Sequence, residues 1–200
     1  MAFKRALLTV MALGASAIAQ SSSSYTDPDN GITFQGYTDP VHNVTYGLVF
    51  PPLSGNSNEF IGEILAPSST GWIGIALSGS MIGDLLVVGW PNGQDFVGTT
   101  RFATSYSSPA VYSGPTLTNL KYALVNSTHW KWVFRCQNCT TWTNGSIPTD
   151  SSAALAWAFS SDPVADPSDP GTTFHEHTDF GFFGENYADA HSDNYDSYLS

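Results

Sequence analysis

Apolar and polar residues follow one another in short runs along this chain. Gly, Pro, Asn and Ser break the runs every few residues, which is the punctuation of strands and turns, and helical periodicity is nearly absent. The pattern predicts strands over Ile32–Tyr37, Val44–Phe50, Glu59–Leu65, Trp72–Leu77, Leu85–Trp90, Phe96–Phe102, Leu120–Asn126, His129–Arg135 and Ala153–Phe159. Strands this close together, with little between them, imply an all-β chain of two antiparallel sheets packed face to face. Tyr122 and Leu124 alternate with Ala123 and Val125, and Trp130, Trp132 and Phe134 alternate with Lys131, Val133 and Arg135. Leu85-Leu86-Val87-Val88 is instead apolar throughout and requires cover on both faces. Trp72, Trp90 and Trp157 sit in apolar strands and are read as core.

The first 19 residues change the picture of where the fold begins. Met1 to Arg5 is a basic opening, Ala6 to Ala15 an apolar run, and Ala17-Ile18-Ala19 a small-residue cleavage site, the layout of a secretory signal peptide with Gln20 as the mature start. Residues 20–200 then form a single domain, a size ordinary for one β-sandwich. Without Lys4 and Arg5, four basic residues face 17 acidic ones, so the formal net charge moves from −11 to −13. Such a surface repels nucleic acid and anionic membrane, both of which require basic patches, and keeps a secreted monomer soluble. No run approaches the ~20 apolar residues of a membrane span. Export also accounts for sequons at Asn43, Asn126, Asn138 and Asn144, of which Asn138 is the weakest acceptor because Cys139 follows it. Cys136 and Cys139, the only cysteines, are expected to form a disulfide across a turn in an oxidising compartment.

Candidate chemistry lies in two places. Met81 is the only methionine outside the leader, and it stands between Gly79 and Gly83 in a loop before the Leu85 strand. A lone Met is commonly a gap filler, but a flexible loop also presents thioether sulfur, a soft ligand suited to haem iron or copper. The second place is Thr173-Phe174-His175-Glu176-His177-Thr178-Asp179-Phe180-Gly181-Phe182-Phe183, delivered by the Asp-Pro-rich loop Ser160 to Gly171. Two histidines two apart with Glu176 and Asp179 also suggest zinc, although no third and fourth ligand lies nearby. His42, His129 and His191 are scattered and read as surface residues. Thr140 follows Cys139 where covalent haem attachment requires His. Glu59 and Glu63 have no spacing that selects them as a hydrolytic pair. A haem-free carbohydrate-binding sandwich with exposed aromatic platforms is the alternative of a different class.

Four motifs in order resemble a known family: Met81 with the Leu-rich strand ending at Trp90, Cys136-Gln137-Asn138-Cys139-Thr140-Thr141-Trp142, Ala156-Trp157-Ala158, and His177 to Phe183. Over Tyr25 to Tyr187 the chain is similar to the secreted fungal cytochrome domain of cellobiose dehydrogenase. The resemblance implies an immunoglobulin-like β-sandwich of the DOMON type holding one haem b, with Met81 and His177 as axial iron ligands and His175 as the alternative to His177. It implies Phe180, Phe182 and Phe183 against the macrocycle, and Arg101 and Tyr106 as donors to its carboxylates. By the same resemblance the domain has no catalytic site of its own. It takes electrons from a flavin-dependent sugar dehydrogenase, there being no G-x-G-x-x-G fingerprint after a strand in this chain, and hands them to an acceptor such as a copper polysaccharide monooxygenase.

Overall fold

A computed structural model describes residues 20–55 and 58–200, so the leader expected over residues 1–19 lies outside the described residues. In chain order the strands are β1 (Ser23–Thr26), β2 (Thr33–Asp39), β3 (Val44–Val49), β4 (Glu59–Pro67) and β5 (Trp72–Ala76). They continue with β6 (Leu85–Asn92), β7 (Asp95–Phe102), β8 (Ala110–Val111), β9 (Thr116–Asn119) and β10 (Leu124–Val125). The last are β11 (His129–Gln137), β12 (Thr141–Trp142), β13 (Gly145–Ser146), β14 (Ser152–Ser160) and β15 (Asp179–Asn186). A short 3-10 turn, Tyr187–Ala190, and one helical turn, Tyr195–Tyr198, close the chain.

Seven strands form one sheet in the order β1-β2-β3-β4-β11-β10, with β9 also on β11. Six form the other, β15-β14-β5-β6-β7-β8, and every strand pair is antiparallel. The expected sandwich is therefore the observed one. Between the sheets lies the main core, including Leu48, Phe60, Ile64, Ile73, Ile75, Leu85, Val87, Trp130, Trp132, Phe134, Leu155, Trp157 and Phe183. Trp132 is its wedge. The directly paired Gly89 and Gly98 leave bare backbone under its indole, so that a Cβ at either would sit 2.3 Å from the ring. Its Nε1 donates to Asn119 Oδ1 at 2.8 Å, and its ring stacks on Phe134 at 4.0 Å. Indole burial of this kind contributes about 3 kcal/mol or more.

One predicted strand is largely absent. Leu120–Asn126 shrinks to the two residues of β10, because Leu120 is still tied to β11 through its N–H on Val133 O and the chain then turns, closed by the Ala123 N–H on Leu120 O. With apolar residues at odd and even positions alike, that alternation never defined a buried face. The β11 alternation is also not core against solvent. Lys131 and Val133 are as buried as Trp132, because the outer face of the seven-stranded sheet is covered in turn. Tyr195, Tyr198 and Leu199 pack there on Ile32, Phe34, Val49, Ile61 and Val133. Beside them Lys131 Nζ donates to both oxygens of Asp27, at 2.7 and 2.9 Å, and to Asp29. Cys136 and Cys139 are joined as expected, with the intervening Asn138 at φ 60 to turn the chain.

The N-terminal segment straps the two sheets together at one edge. Ser22 N–H donates to Gly184 O and Gly184 N–H to Gln20 O, both at 2.8 Å, while β1 pairs with β2 of the other sheet. Two buried carboxyl groups lie under it. Glu63 accepts from the Tyr25 hydroxyl at 3.0 Å, and Glu185 is fully buried with neither oxygen hydrogen-bonded. Burial pushes both up to about 8, with neighbouring Asp27 adding to the rise for Glu63. Because the folded chain holds these protons more tightly than the unfolded one, their contribution to stability is complete below about pH 4.5 and is lost as pH rises toward 8. Thermal unfolding followed by circular dichroism is expected to give a Tm several degrees lower at pH 8.5 than at pH 5, roughly 3 °C per kcal/mol. Glu185→Gln, which keeps the shape and removes the titration, is expected to flatten that slope, and an unchanged slope would show that Glu185 does not set it.

Candidate functional site

The six-stranded sheet is apolar on its outer face as well. Antiparallel register places directly paired residues on one face, and Ala156 pairs with Ala76 and Phe182, and Ala158 with Gly74 and Phe180. Gly74 and Ala76 in turn pair with Val88 and Leu86, and Leu86 with Arg101. The continuous apolar run of β6 is explained here, since Leu85 and Val87 enter the main core while Leu86 and Val88 join a second cluster outside the sheet. Trp72 and Trp90 are buried as expected, but in this outer cluster, whereas Trp157 belongs to the main core. Gly74, Ala76, Ala156 and Ala158 thus form a floor without bulk, walled by Leu86, Val88 and Trp72 on one side. On the other side Phe180 and Phe182 remain 57% and 50% exposed. A Cβ at Gly74 would already touch Trp72, Val88 and Ala158 at 3.5 to 3.8 Å, so any longer side chain there rises into the trough.

Two loops overhang this trough. The first joins β5 to β6 and carries Met81, half-buried against the outer cluster. Its knot is Asp84, whose Oδ2 accepts the backbone N–H groups of Ser78 and Ser80 at 2.7 and 3.3 Å. Burial raises the Asp84 carboxyl, and those two N–H donors oppose the rise. Gly79 and Gly83 take the positive φ angles, 83 and 78, that let the loop double back. Trp142 Nε1 donates to Gly83 O at 3.1 Å, and Gly83 N–H to Ala103 O at 2.9 Å, which pins the loop to its neighbours.

The second loop runs from Ser161 to Thr178 and is built around Arg101. Its guanidinium donates to Pro170 O at 2.7 Å, Thr172 O at 2.9 Å, Pro109 O and Thr99 Oγ1 at 3.2 Å each, and lies 5.3 Å over the Phe174 ring. The residue expected as a carboxylate donor at the site is therefore a buried clamp on the loop. Trp90 Nε1 also holds this loop, donating to Pro167 O at 2.9 Å, and Phe174 packs on Trp72 with centroids 4.7 Å apart. His175 is exposed, whereas His177 is half-buried and meets Phe180 edge to face at 5.2 Å. Tyr106 stands 86% exposed on the connection after β7. Phe183 belongs to the main core, not to the trough face, because its position in β15 points it the other way.

One residue beside this site is not legible in the sequence. His42, in the turn between β2 and β3, stacks on Phe159 at 4.0 Å and 13°, and its Nε2 lies 2.9 Å from Asp179 Oδ2. That contact, together with the Phe180 N–H on Oδ1 at 2.8 Å, holds the Asp179 carboxylate below the usual range. His191 is not a free surface residue either: its Nε2 faces Thr149 O at 2.7 Å and its Nδ1 faces Pro51 O. Glu59 and Glu63 are engaged separately, Glu59 in a two-point ion pair with Arg135 at 2.8 and 2.9 Å. Among the described residues no three or more His, Cys, Asp or Glu are arranged to hold a metal ion.

The outer face of the six-stranded sheet thus carries its own apolar cluster, which Met81 joins from one loop and Phe174 from the other, with His177 against Phe180 on the edge strand. Buried Trp72 Nε1, without a hydrogen-bond partner in the walls of the trough, fits a site completed by a bound group. The family model for the cytochrome domain of cellobiose dehydrogenase matches residues 25–197, and the chain belongs to that family. A pyrroloquinoline quinone-dependent pyranose dehydrogenase of Coprinopsis cinerea is 40% identical over 196 residues, which is 94% of this chain but 27% of that protein's length. The solved cytochrome b domain of the Coprinopsis cinerea pyranose dehydrogenase superposes with a TM-score of 0.86 at 39% identity, covering 90% of this chain and 94% of that one. The cytochrome domain of Myriococcum thermophilum cellobiose dehydrogenase gives 0.81 at 31%, covering 90% and 95%.

If Arg101 is the clamp of the second loop, Arg101→Met leaves buried carbonyls without donors. It is expected to lower stability by on the order of 3 kcal/mol. Limited proteolysis is expected to cut between residues 161 and 178 in the variant under conditions that leave the parent intact, and equal resistance of the two proteins would rule the clamp out.

Proposed function

We propose that this chain is a secreted b-type cytochrome that passes single electrons through a haem seated in the outer trough, with Met81 and His177 as its axial ligands. The observation that carries the reading is the bare floor of Gly74, Ala76, Ala156 and Ala158 between those two loops, in a chain of the cytochrome-domain family. When bound, haem supplies a one-electron couple, and filling both axial positions from the protein favours electron transfer over binding of oxygen or peroxide. Met81 sulfur favours the reduced form and so raises the potential. His177 is preferred to His175 because it is half-buried against Phe180 whereas His175 faces solvent. Phe180 and Phe182, exposed as the chain stands, give up water when a planar ligand covers them, about 25 cal/mol per Å² of apolar surface. Asp84 and Arg101 act at one remove by fixing the two loops. Tyr106, exposed on the connection after β7, remains the candidate donor to a carboxylate of the cofactor.

The partner that supplies electrons is a sugar dehydrogenase. Its own cofactor is either flavin, as first expected, or pyrroloquinoline quinone, the dependence named for the relative from Coprinopsis cinerea. A copper polysaccharide monooxygenase is the acceptor class proposed here. Export is supported by the leader, by the Cys136–Cys139 disulfide, and by sequons at turns. Asn43 and Asn144 take positive φ, and Asn126 Oδ1 caps its own turn by accepting from Thr128 and His129. Among the described residues no helix is long and apolar enough to cross a membrane.

An absorption spectrum of the protein supplied with haemin, before and after ascorbate, tests the reading. A low-spin spectrum with sharp reduced bands is expected. Met81→His is expected to give a bis-imidazole spectrum with a lower midpoint potential, and His177→Ala to lose haem. Loss in His175→Ala instead would move the ligand by two residues, and a parent protein that stays colourless with haemin would refute the function.

A further inference from the structure

The His42–Asp179 contact has a location that plain stabilisation does not require. His42 belongs to the turn between β2 and β3, in the seven-stranded sheet, whereas Asp179 is the first residue of β15, in the six-stranded one, 137 positions later. The contact therefore braces one sheet against the other. It does so two residues after His177. Between them Thr178 is tied to the same place, its N–H and hydroxyl both donating to Phe159 O at 2.8 and 3.2 Å, and Phe159 is the ring on which His42 stacks. The turn that offers His42 is itself fixed. The His42 N–H donates to Asp39 Oδ2 at 2.7 Å, the Asn43 N–H to Asp39 O at 2.9 Å, and Asn43 adopts φ 55 to close it. Asp39 is buried, so the anchor does not follow solvent. His42 also meets Trp157 edge on at 5.8 Å, and Trp157 lies in β14 between Ala156 and Ala158 of the trough floor. One imidazole thus touches the start of the histidine strand and the underside of the floor.

We infer that His42 is a positioning residue for the His177 ligand, holding through Asp179 the strand start from which that imidazole reaches the cofactor. The inference rests on His177 being the ligand. A ligand beside a strand end held from both sheets keeps one ring orientation, whereas with the brace removed the segment from Glu176 to Asp179 is held from the six-stranded sheet alone, by the Thr178 bonds and the pairing of Asp179 with Phe159. The consequence falls on ligand geometry more than on global stability, since the core beneath is built from other side chains.

His42→Phe keeps a ring to stack on Phe159 and removes the contact with Asp179. In the haem-loaded protein it is expected to raise the rate of haem transfer to an excess of apomyoglobin about tenfold, the equivalent of one lost hydrogen bond to a charged group. It is also expected to add a high-spin fraction to the ferric spectrum and to shift the midpoint potential. Asp179→Asn, whose amide still meets the imidazole, should stay within about twofold of the parent in haem transfer. Thr26→Val, which removes a surface contact with Thr33 at the end of β2 opposite the His42 turn, serves as the control and should leave spectrum and potential unchanged. If His42→Phe releases haem no faster than the parent and keeps its spectrum and potential, the positioning role is wrong. If instead His177→Ala keeps a parental low-spin spectrum, the ligand assignment itself fails, and this inference with it.

Discussion

A sheet that is apolar on both faces must be covered on both, and this requirement organises the molecule. The seven-stranded sheet covers the inner face of β5, β6 and β14 with Trp132, Phe134 and their neighbours. No third layer covers the outer face. Two loops do part of the work, bringing Met81 from one side and Val164 and Phe174 from the other. Beneath them Gly74, Ala76 and Ala156 are buried, whereas Phe180 and Phe182 on the neighbouring edge strand stay 57% and 50% exposed, an apolar surface without cover of its own. The cofactor reading is the completion of that unfinished layer.

The scarcity of basic residues sharpens the same point. Outside the leader the chain has Arg101, Lys121, Lys131 and Arg135 only. Three of them are internal ties: Arg101 to the second loop, Lys131 to Asp27 and Asp29, and Arg135 to Glu59. The outward field is therefore almost wholly acidic, which selects partners that are neutral or basic at the contact and makes their association sensitive to salt. The one basic group buried on this face, Arg101, is taken up by backbone carbonyls and the Thr99 hydroxyl.

Much of this was readable from residues alone, for definite reasons. Period-two runs broken by Gly and Pro gave nearly every long strand, and the unbroken run Leu85 to Val88 foretold a sheet covered twice. Met81 stood out as the lone methionine beyond the leader and His175 and His177 as a pair among aromatics, and the family resemblance, not composition, chose His177 between them. Long-range pairings were not legible. Nothing near Arg101 announces that its partners are the carbonyls of Pro170 and Thr172, and nothing near His42 names Asp179. The short strands β8, β9, β12 and β13 carry too few residues to set a period, and Phe183 points to the core because strand parity, not composition, decides its face.

The central claim is that a sulfur and an imidazole meet one iron across the outer trough. X-ray absorption at the iron K edge of the haem-loaded protein tests it without reference to partners or turnover. One sulfur and one axial nitrogen beside the porphyrin nitrogens, with the sulfur lost in Met81→Leu, is the result this account predicts. A first shell made only of nitrogen and oxygen in the parent protein would contradict it.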